Sequence, residues 1–579
     1  MTFSTPALQT GSIEKIPAKP KSSHKPKSKV IPHAGLIALF AGLIFVSHPI
    51  QIEAVTNIWQ RAASMAAFFY IASLCLYVKS RLLEESVIAR SEATKQSFKK
   101  IASLPTVARN DTLIKFYYIC SLITAIAAMF TKENTITLPL MVILYECCFF
   151  NTKKCLNWKS LVPFLATLLI IPVTSMIKTG AFHDYHGNLN RQGGIITPTH
   201  YFLTQLRVIV TYIRLAFIPV GQNFDYDYPV FKNIFELPLV LSFIFLMTIL
   251  YFTKRLFLKY RFVSFSVCWF FLTLTIPESS FWPLGDVISE HRLYLPLAGY
   301  SMFLAGGLYY LLGRGGIRPM IIVLTMVLCL NSFLTYQRNK VWKDEFTLWG
   351  DTILKSPHKA RPYSYLGSAY LDQGKIAQAI AEYTKAIEID NNDVQAHNNR
   401  GNAYAKLGQF PQALADLDAV IAIAPSLPDP YFNRGLIYDK EAKLSQAILD
   451  YNKAIELNPD YVEAYANRGS TYAQEGKFTE ALSDFNKVIE KDPDNAQAYY
   501  NIGLIYGEQS EYGQAIAEYG KAIDHDPGYA AAYNNRAVSC FQVKEYDNAW
   551  DDVHKARALG YTVNPGFINA LSQVSGREQ

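Results

Sequence analysis

Four ionisable residues crowd into a short stretch between two apolar runs. Asp286, Glu290, His291 and Arg292 lie within seven residues of "PLGDVISEHRLYLP". Charged groups cost free energy inside a bilayer and gather where water or a ligand meets it. A carboxylate there can take a proton from a hydroxyl, and cationic side chains can stabilise a leaving phosphate. The stretch therefore indicates a functional cavity beside a membrane, with ordinary loop charges as the alternative.

Further ionisable residues lie inside or tightly against apolar runs. Glu53 and Glu133 add carboxylates, and a structural pair of Glu53 with Arg61 is the alternative for the first of them. Asp225 and Asp227 in "NFDYDYP" either line the mouth of the cavity or hydrate the turn that follows. The candidate catalytic residues are Glu53, Glu133, Asp286 and Glu290, and the candidate partners of a donor phosphate are Lys132, Arg207, Arg214, His291 and Arg292.

The elements that must position these residues are membrane helices. Half of the 579 residues are hydrophobic (50%), and ten apolar runs between 34 and 336 are long enough to span a bilayer. The run 201–219 carries Arg207 and Arg214 on one helix face, so we expect it to lie at the membrane surface or to line a cavity. The sequence therefore predicts nine spans and one interfacial helix.

The Lys/Arg-rich stretches predict the orientation of these helices. The basic stretches 1–33, 79–113 and 151–160 belong in the cytoplasm by the positive-inside rule. Nine spans then place the Glu290 stretch, and everything after residue 336, on the outer side. Acidic residues outnumber basic ones after residue 360, so the part before it carries a larger positive charge than the +7 of the whole chain.

The second half of the chain repeats itself every 34 residues. Small residues and a helix-ending proline recur with this period, as in tetratricopeptide (TPR) repeats, whose helix pairs stack into a solenoid. The prediction is an all-α chain: a Lys/Pro/Ser-rich cytoplasmic tail (1–33), a polytopic membrane domain (34–345) with a polar insert (87–112), a TPR domain (346–563) with six repeats over 360–563, and a C-terminal tail (564–579). The recurring residues are Gly367, Gly401, Gly435, Gly469 and Gly503, then Ala379, Ala413, Ala447, Ala481, Ala515 and Ala549, then Pro425, Pro459, Pro493 and Pro527.

Polar columns recur on the first helix of the repeats. Amide side chains can hold the backbone of an extended peptide, and arginine can hold carboxylates, so the columns predict a peptide-binding groove. Hydrogen bonding between repeats is the alternative. The predicted groove residues are Asn399, Arg400, Asn433, Arg434, Asn467, Arg468, Asn501, Asn535 and Arg536.

The composition excludes several classes of protein. Eight cysteines are scattered without a CxxC pair, so neither a zinc site nor a disulfide framework is expected. The basic residues are spread over short loops, so nucleic acid is not an expected partner. No metal and no cofactor is expected. The insert "VIARSEATKQSFKKIASLPTVARNDT" is a polar cytoplasmic loop or disordered segment of the kind encoded by mobile palindromic repeats in bacteria.

Four membrane motifs resemble those of the transmembrane-and-TPR O-mannosyltransferases. They are "HPIQIEAVTNIWQRAASMAAFFY", "FTKENTITLPLMVILYE", "YFLTQLRVIVTYIRLAFIPVGQNFDYDYP" and "ESSFWPLGDVISEHRLYLPLAGY". The resemblance covers roughly residues 34–345 and implies a GT-C-like membrane fold. It further implies transfer of a sugar from a polyprenyl-phosphate donor to protein Ser or Thr hydroxyls on the outer face. With the basic loops and the insert, it predicts a multi-pass protein of the bacterial inner membrane whose TPR domain is periplasmic.

One departure from the family leaves two functions open. In the family, a longer N-terminal section with an acidic pair precedes "HPIQIEAV", whereas this chain begins with "MTFSTPALQTGSIEKIPAKPKSSHKPKSKV". We therefore expect a partial GT-C-like bundle, inactivated by truncation if that section is absent. The alternative is a non-enzymatic membrane anchor that presents a TPR scaffold to protein partners.

Overall fold

The described part of the chain is built from helices. The computed structural model describes residues 34–49, 61–97, 105–131, 133–150, 158–170, 173–174, 196–275, 287–313 and 316–577. These residues form helices and no strand, so the all-α prediction is confirmed over the described part of the chain.

The apolar half contains ten helices before the repeats are reached, counting described residues only. Four of them are long and apolar enough to cross a bilayer, and the segments concerned are Met65–Glu84, Asp111–Thr131, Leu237–Leu256 and Ile317–Val341. Nine spans stay a prediction. The helices are α1 (Ala34–Ser47), α2 (Arg61–Ser97), α3 (Pro105–Thr131), α4 (Leu138–Tyr145), α5 (Trp158–Ala166), α6 (Pro198–Phe217), α7 (Leu237–Leu256), α8 (Arg261–Thr275), α9 (Pro296–Leu312) and α10 (Ile317–Val341).

Two apolar clusters hold these helices together. One joins α1, α6, α8, α9 and α10 through residues such as Ile44, Tyr212 and Leu297. The other joins α2, α3, α4 and α5 to α8 through residues such as Tyr77 and Phe164. Helix α8 supplies Phe270 to the first cluster and Trp269 to the second, so it connects the two halves of the bundle.

The polar insert differs from the expected loop. Helix α2 continues through Ser97 and α3 begins at Pro105, so most of residues 87–112 is helical; residues 98–104 are outside the described part. The segment contains several Ala, Lys and Arg residues, which have high helix propensity. A helix already nucleated by the neighbouring apolar run can extend through such residues at little cost.

Several apolar runs are not single α-helices. The run 134–150 is a 3₁₀ turn (Glu133–Thr137), then α4, then a π-helical turn (Glu146–Phe150). Proline at the second position of α4 explains why the regular helix starts there, because proline lacks the N–H that an upstream helix would need. Apolar composition alone predicts none of these changes in helical type.

The repeats form six helix pairs that follow a short linking helix, α11 (Glu345–Lys355). The alanine that recurs in each second helix is fully buried in all six pairs. The pairs are α12 (Ala360–Asp372) with α13 (Ile376–Ile389), α14 (Val394–Lys406) with α15 (Phe410–Ile423), α16 (Pro428–Lys440) with α17 (Leu444–Leu457), α18 (Val462–Gln474) with α19 (Phe478–Lys491), α20 (Ala496–Glu508) with α21 (Tyr512–His525), and α22 (Ala530–Gln542) with α23 (Tyr546–Ala558); α24 (Pro565–Ser575) follows them.

The recurring glycine permits close approach within a pair. A Cβ added to Gly435 would lie 2.7 Å from the ring of Tyr451, and one added to Gly503 would lie 2.6 Å from the ring of Tyr519. In the sixth pair Ala537 takes the glycine's place, and the facing residue is the smaller Val553. The two facing side chains therefore share one fixed space between the helices.

Candidate functional site at the membrane–repeat junction

The candidate carboxylate Glu290 is buried where the apolar helices meet the repeats. It opens a 3₁₀ turn (Glu290–Leu293) ahead of α9, and 2% of its surface is exposed. Its Oε1 accepts hydrogen bonds from the backbone N–H of Asn223, at 2.7 Å, and from the hydroxyl of Tyr226, at 2.6 Å. Both donors belong to the loop that joins α6 to α7.

The sequence did not single out Arg338, which faces the same carboxylate. It lies in the last turn of α10, is 7% exposed, and places its Nη2 3.9 Å from Oε2 of Glu290. Its Nη1 donates to the carbonyl of Gln222, at 3.3 Å, and to Asp351 of α11, at 3.2 Å. A basic residue near the C-terminal end of the last apolar helix was the available signal, and it resembles an ordinary interfacial anchor.

Burial also changes the tyrosine that donates to Glu290. The pKa of Tyr226 is raised, first by burial and then by the charge of Glu290 and the hydrogen bond to it. Tyr226 therefore stays protonated and remains a donor throughout the physiological range.

His291 and Arg292 follow Glu290 in the chain, and Arg292 contacts α6. Nδ1 of His291 is 2.5 Å from the hydroxyl of Ser289. Nη1 of Arg292 donates to Tyr201 of α6 and to the carbonyl of Val287, each at 3.4 Å. The structure therefore brings together three of the four clustered residues that the sequence predicted.

The inner face of α6 fixes the backbone of this stretch. The hydroxyl of Tyr212 donates to the carbonyl of Ser289 and accepts from its N–H, both at 2.9 Å. The amide of Gln205 donates to the carbonyl of Val287 at 2.9 Å. A helix that presents tyrosine and glutamine inward can hold an irregular segment because it satisfies the polar groups of that segment.

The two arginines of α6 lie apart from Glu290. Arg207 is half-buried, and Arg214 is exposed and donates to the carbonyl of Val220 at 3.2 Å. Both charges act on Tyr228. Burial raises the pKa of Tyr228, and its hydrogen bond with Thr211 and the charges of the two arginines partly lower this pKa again. Arg207 and Arg214 thus lie close to the loop that contacts Glu290.

The remaining candidates fall largely outside the described residues. Glu53, Lys132 and Asp286 lie there entirely. Glu133 begins the 3₁₀ turn before α4, and its side chain is also outside the described part. Their assigned roles stay predictions. Among the described residues, no three His, Cys, Asp or Glu side chains are grouped so that they could hold a metal ion.

A second buried carboxylate, Glu146, was missed by the sequence analysis. It begins the π-helical turn and accepts from the hydroxyl of Tyr77 at 2.8 Å and from Nε of Arg81 at 2.6 Å. Arg81 also pairs with Glu84, one turn further along α2. The ion pair of Arg81 with Glu146 joins α2 to the end of α4. Nothing in the sequence indicated this pair, because Arg81 lies in a stretch that contains many other Lys and Arg residues.

An apolar cavity of about 270 Å³ lies behind α6. Helices α6, α7, α8 and α9 line it, and its walls are almost entirely hydrocarbon. Close packing of α8 against α9 forms its floor, because a Cβ added to Gly299 would lie 2.7 Å from the backbone oxygen of Ser266. Aromatic residues supply much of the lining: Phe217, Phe245, Phe270, Phe271, Tyr300 and Phe303.

In the repeats, the arginine column is engaged within the array. Each arginine holds the aspartate 16 residues further on with two nitrogens, and these aspartates are 4–6% exposed. The Nε–Oδ2 distances are 2.8 Å for Arg400–Asp416, 2.7 Å for Arg434–Asp450, 2.8 Å for Arg468–Asp484 and 2.8 Å for Arg536–Asp552.

The side chains of the asparagine column form hydrogen bonds within the TPR array, several of them to the preceding helix pair. Asn433 donates to Asn398 of the preceding pair at 3.2 Å, and Asn535 donates to Tyr500 of the preceding pair at 2.9 Å. Asn399 contacts Ser368, Asn467 contacts the carbonyl of Glu463, and Asn501 accepts from Gln497. These amides are half-buried, so each keeps polar atoms at the surface. Peptide binding by the two columns stays a prediction.

Comparison with protein families identifies the array. The family model described as "TPR repeat" matches residues 367–408, 401–441, 442–476 and 469–510, and the model described as "Tetratricopeptide repeat" matches 496–529. The C-terminal part is a TPR array. Among solved structures, the chain is similar to YrrB, described as "a TPR protein with an unusual peptide-binding site" (28% identity, 32% of this chain and 95% of that chain, TM-score 0.29), and to MamA (25% identity, 28% and 95%, TM-score 0.27).

Curated relatives extend the similarity beyond the TPR array. The chain is 24% identical over 424 residues to the protein O-mannosyl-transferase Tmtc3 of Drosophila melanogaster, which covers 65% of this chain and 43% of the relative. It is 24% identical over 402 residues to human TMTC1 (63% and 43%) and 24% identical over 398 residues to human TMTC3 (62% and 40%). The chain thus spans about two-fifths of the length of these relatives.

These findings confirm the resemblance that the four membrane motifs indicated. The chain is homologous to protein O-mannosyl-transferases and is a multi-pass membrane protein that carries TPR repeats.

Proposed function

We propose that the chain transfers a sugar from a polyprenyl-phosphate donor to Ser or Thr hydroxyls of a protein on the outer face of the membrane. The observation that carries this proposal is the turn that places the buried Glu290 next to His291 and Arg292, beside α6 and the loop before α7. Similarity to proteins named protein O-mannosyl-transferase supports mannose as the sugar. The transfer, the donor and the acceptor are all part of the proposal.

The chemistry needs one proton acceptor and a cationic site for the leaving group. The acceptor hydroxyl gives its proton to a carboxylate, its oxygen forms a bond to C1 of the sugar, and the bond from C1 to the phosphate oxygen breaks. The phosphate leaves with the polyprenyl chain, and cations stabilise its new charge. Arg292 and His291, with Arg207 and Arg214 on the flank of α6, supply that charge in this proposal.

Glu290 has a supporting part in this scheme. One of its oxygens already accepts two hydrogen bonds, and the guanidinium of Arg338 lies 3.9 Å from the other. A carboxylate whose oxygens already accept hydrogen bonds and face a guanidinium is engaged with its neighbours in the protein rather than open to a substrate hydroxyl. We therefore assign Glu290 to holding the site together, and proton acceptance to Glu53, Glu133 or Asp286.

The surroundings of the site suit both substrates. The apolar cavity offers a hydrocarbon lining to part of a polyprenyl chain. Helix α6, which carries the two arginines, forms one wall of this cavity. The TPR array, with its half-buried amides, offers a surface for an extended acceptor polypeptide. The basic stretches 1–33 and 79–113 support an outward site, which in a bacterial inner membrane is periplasmic.

The test is a transfer assay with the full chain in lipid nanodiscs. Labelled polyprenyl-phosphate mannose and a Ser/Thr-rich polypeptide are supplied, and both donor binding and label transfer are measured. One of Glu53→Gln, Glu133→Gln and Asp286→Asn should lower transfer by about 10²- to 10⁴-fold while donor binding persists. Arg292→Ala should weaken donor binding as well, because it removes a phosphate partner.

Arg255→Ala is the matched control, because it removes an exposed arginine from the opposite end of α7. It should change neither measurement. If the unmodified chain neither binds the donor nor transfers the label, the enzymatic proposal is wrong, and a membrane-anchored TPR scaffold takes its place.

A further inference from the structure

The loop between α6 and α7 inserts six residues, "QNFDYD", between the membrane part and the TPR array. Asp225 is at its centre and is 3% exposed, so it does not hydrate a turn. Its Oδ1 accepts from Nζ of Lys359 at 2.7 Å, and its Oδ2 accepts from Nε of Arg361 at 2.6 Å. Lys359 and Arg361 flank the first residue of α12, where the array begins.

The same six residues contact the Glu290 site on their other side. The backbone N–H of Asn223 donates to Glu290, while its side-chain amide donates to the hydroxyl of Ser356 at 2.7 Å. The N–H of Asp227 donates to the same hydroxyl at 2.9 Å. Ser356 ends α11, so the segment contacts the site, the linking helix and the first repeat at once.

Aromatic rings continue this connection. The ring of Phe224 meets Trp342 at 5.4 Å and Trp349 at 5.3 Å, both edge to face. Trp349 in turn stacks on Tyr365 of α12, with ring centroids 4.7 Å apart and an angle of 8° between the planes. These ring contacts join the loop to the linking helix α11 and, through Trp349, to the first repeat.

We propose that residues 222–227 form a rigid coupling and that Asp225 is a positioning residue, which holds the TPR array in one orientation relative to the Glu290 site. A buried carboxylate that loses its partners is strongly destabilised, so the geometry that satisfies both cations is favoured over any other. A polypeptide bound along the array is then presented to the site at a fixed distance. This last consequence rests on the proposed function, whereas the coupling itself does not.

Single-molecule distance measurement tests the coupling without any transfer reaction. Fluorophores are placed by unnatural amino acids at Phe235, beside the start of α7, and at Leu449 in the third repeat, which are 82% and 67% exposed. The unmodified full chain in nanodiscs should give one narrow distribution of energy transfer. Asp225→Ala should give a distribution roughly twice as broad, because relative motion is the default for two bodies without a tight interface.

Asp225→Glu, which keeps the charge, should restore most of the narrow distribution. Glu382→Gln, which breaks an ion pair in the first repeat away from the junction, should leave it unchanged. If Asp225→Ala does not fold, Asp225→Asn replaces it, because it keeps the shape of the side chain and removes the charge that both cations need. A narrow distribution in a folded Asp225→Ala or Asp225→Asn chain would overturn the proposal.

A kinetic measurement separates the coupling from the chemistry. Asp225→Ala should raise the KM for an acceptor long enough to lie along the array by roughly tenfold, because the effective concentration of the tethered segment falls. The kcat for a short Ser/Thr peptide should stay the same. Absence of transfer with an intact narrow distribution contradicts the proposed function alone, whereas a broad distribution in the unmodified chain contradicts the coupling alone.

Discussion

At the residue scale, the two columns of the TPR array show what a repeat predicts. The period of 34 located Arg400, Arg434, Arg468 and Arg536 on one face but gave no partner for them. Their partners lie 16 residues on, and the sequence contains that signal: where arginine is replaced by Leu366 or Ile502, the aspartate is replaced by Glu382 or Glu518. Comparing the repeats with one another would therefore have predicted internal ion pairs.

Removing one arginine should loosen one repeat. Arg468→Ala leaves Asp484, which is 4% exposed, without its cation. Breaking a buried pair costs several kcal/mol, so we expect the free energy of local opening of α18 and α19 to fall by about 2–4 kcal/mol. Hydrogen exchange followed by mass spectrometry on the full chain measures this opening directly.

Lys453→Ala is the control, because it breaks an exposed pair with Glu456 in the neighbouring repeat. Such pairs contribute about 0–1 kcal/mol. Equal effects of the two variants would show that the arginine column does not support the array and would favour its role in a groove.

A pH dependence follows from Asp416. Burial by itself would raise its pKa, but hydrogen bonds from Arg400 and His397 outweigh burial, so the pKa is lowered from 3.8. A lowered carboxyl pKa stabilises the fold above the unfolded value, and this stabilisation is lost as the pH falls through the folded value. Asp416→Asn should therefore reduce stability at pH 7 by about 2–3 kcal/mol.

The difference between Asp416→Asn and the unmodified chain should shrink as the pH falls below the unfolded value of 3.8, because the unfolded chain then binds a proton that the folded Asp416 binds only at lower pH. Thermal unfolding of the full chain at pH 7 and at pH 3 measures it. Asp418→Asn serves for comparison, since Asp418 is 58% exposed and its pair with Arg434 lies at the surface. A difference that persists unchanged at pH 3 would exclude the ionised carboxylate as its cause.

At the element scale, the sequence predicted the TPR helices well and the membrane helices less well. The second TPR helix has a stop signal in four repeats, where a proline follows it, and the recurring glycines and alanines mark the packed faces. Apolar runs have no such marks, and the run 134–150 changes from 3₁₀ to α to π along its length. Hydropathy indicates whether a helix lies in water or in lipid. The change of helical type along the run depends instead on neighbouring side chains, such as Tyr77 and Arg81, that contact Glu146.

Replacing the recurring glycine with alanine should be tolerated only in repeats where the facing side chain of the second helix is small. Gly435→Ala should destabilise the third repeat by about 1–3 kcal/mol, because the added Cβ would meet the ring of Tyr451 at 2.7 Å. Gly401→Ala should cost less, because its nearest atoms lie at 3.3 Å. Hydrogen exchange of α16 and α17 checks the first variant, and that of α14 and α15 the second.

Reducing the partner should compensate for the added methyl group. The double variant Gly435→Ala, Tyr451→Val reproduces the Ala537–Val553 combination of the sixth repeat. It should lose less stability than the sum of its single variants, because the two side chains share one space. Additive losses would show that Tyr451 moves aside and that the close approach is not a constraint.

At the scale of the whole molecule, the junction was the part that the sequence could not predict. Arg338 and Lys359 lie outside the motifs and the repeats, and Arg361 has no counterpart in the other repeats. They meet Glu290 and Asp225 only after the loop before α7, the Glu290 turn, the end of α10 and the start of the array have folded together. Such contacts depend on tertiary arrangement rather than on local pattern. The sequence did predict that charge would gather beside the membrane, which is the general property that these contacts share.

Sidedness is the prediction on which the proposed transfer depends. The basic stretches should remain in the cytoplasm, which places the TPR array outside. A membrane-impermeant thiol reagent should therefore label Leu449→Cys in intact cells, because this side chain is 67% exposed. The native Cys540 of the same array should react slowly, because it is 2% exposed and burial, with the charges of Asp552 and Glu545, raises its pKa to about 11.

Leu258→Cys gives the opposite control. Leu258 is 80% exposed in the short connection after α7. The last turn of α7 carries Lys254 and Arg255 and the connection carries Lys259, so this end of α7 belongs in the cytoplasm. It should be labelled only after the cells are opened. Labelling of Leu258→Cys from outside, with Leu449→Cys protected, would reverse the orientation. The Glu290 site would then face the cytoplasm, and transfer to proteins on the outer face would be excluded.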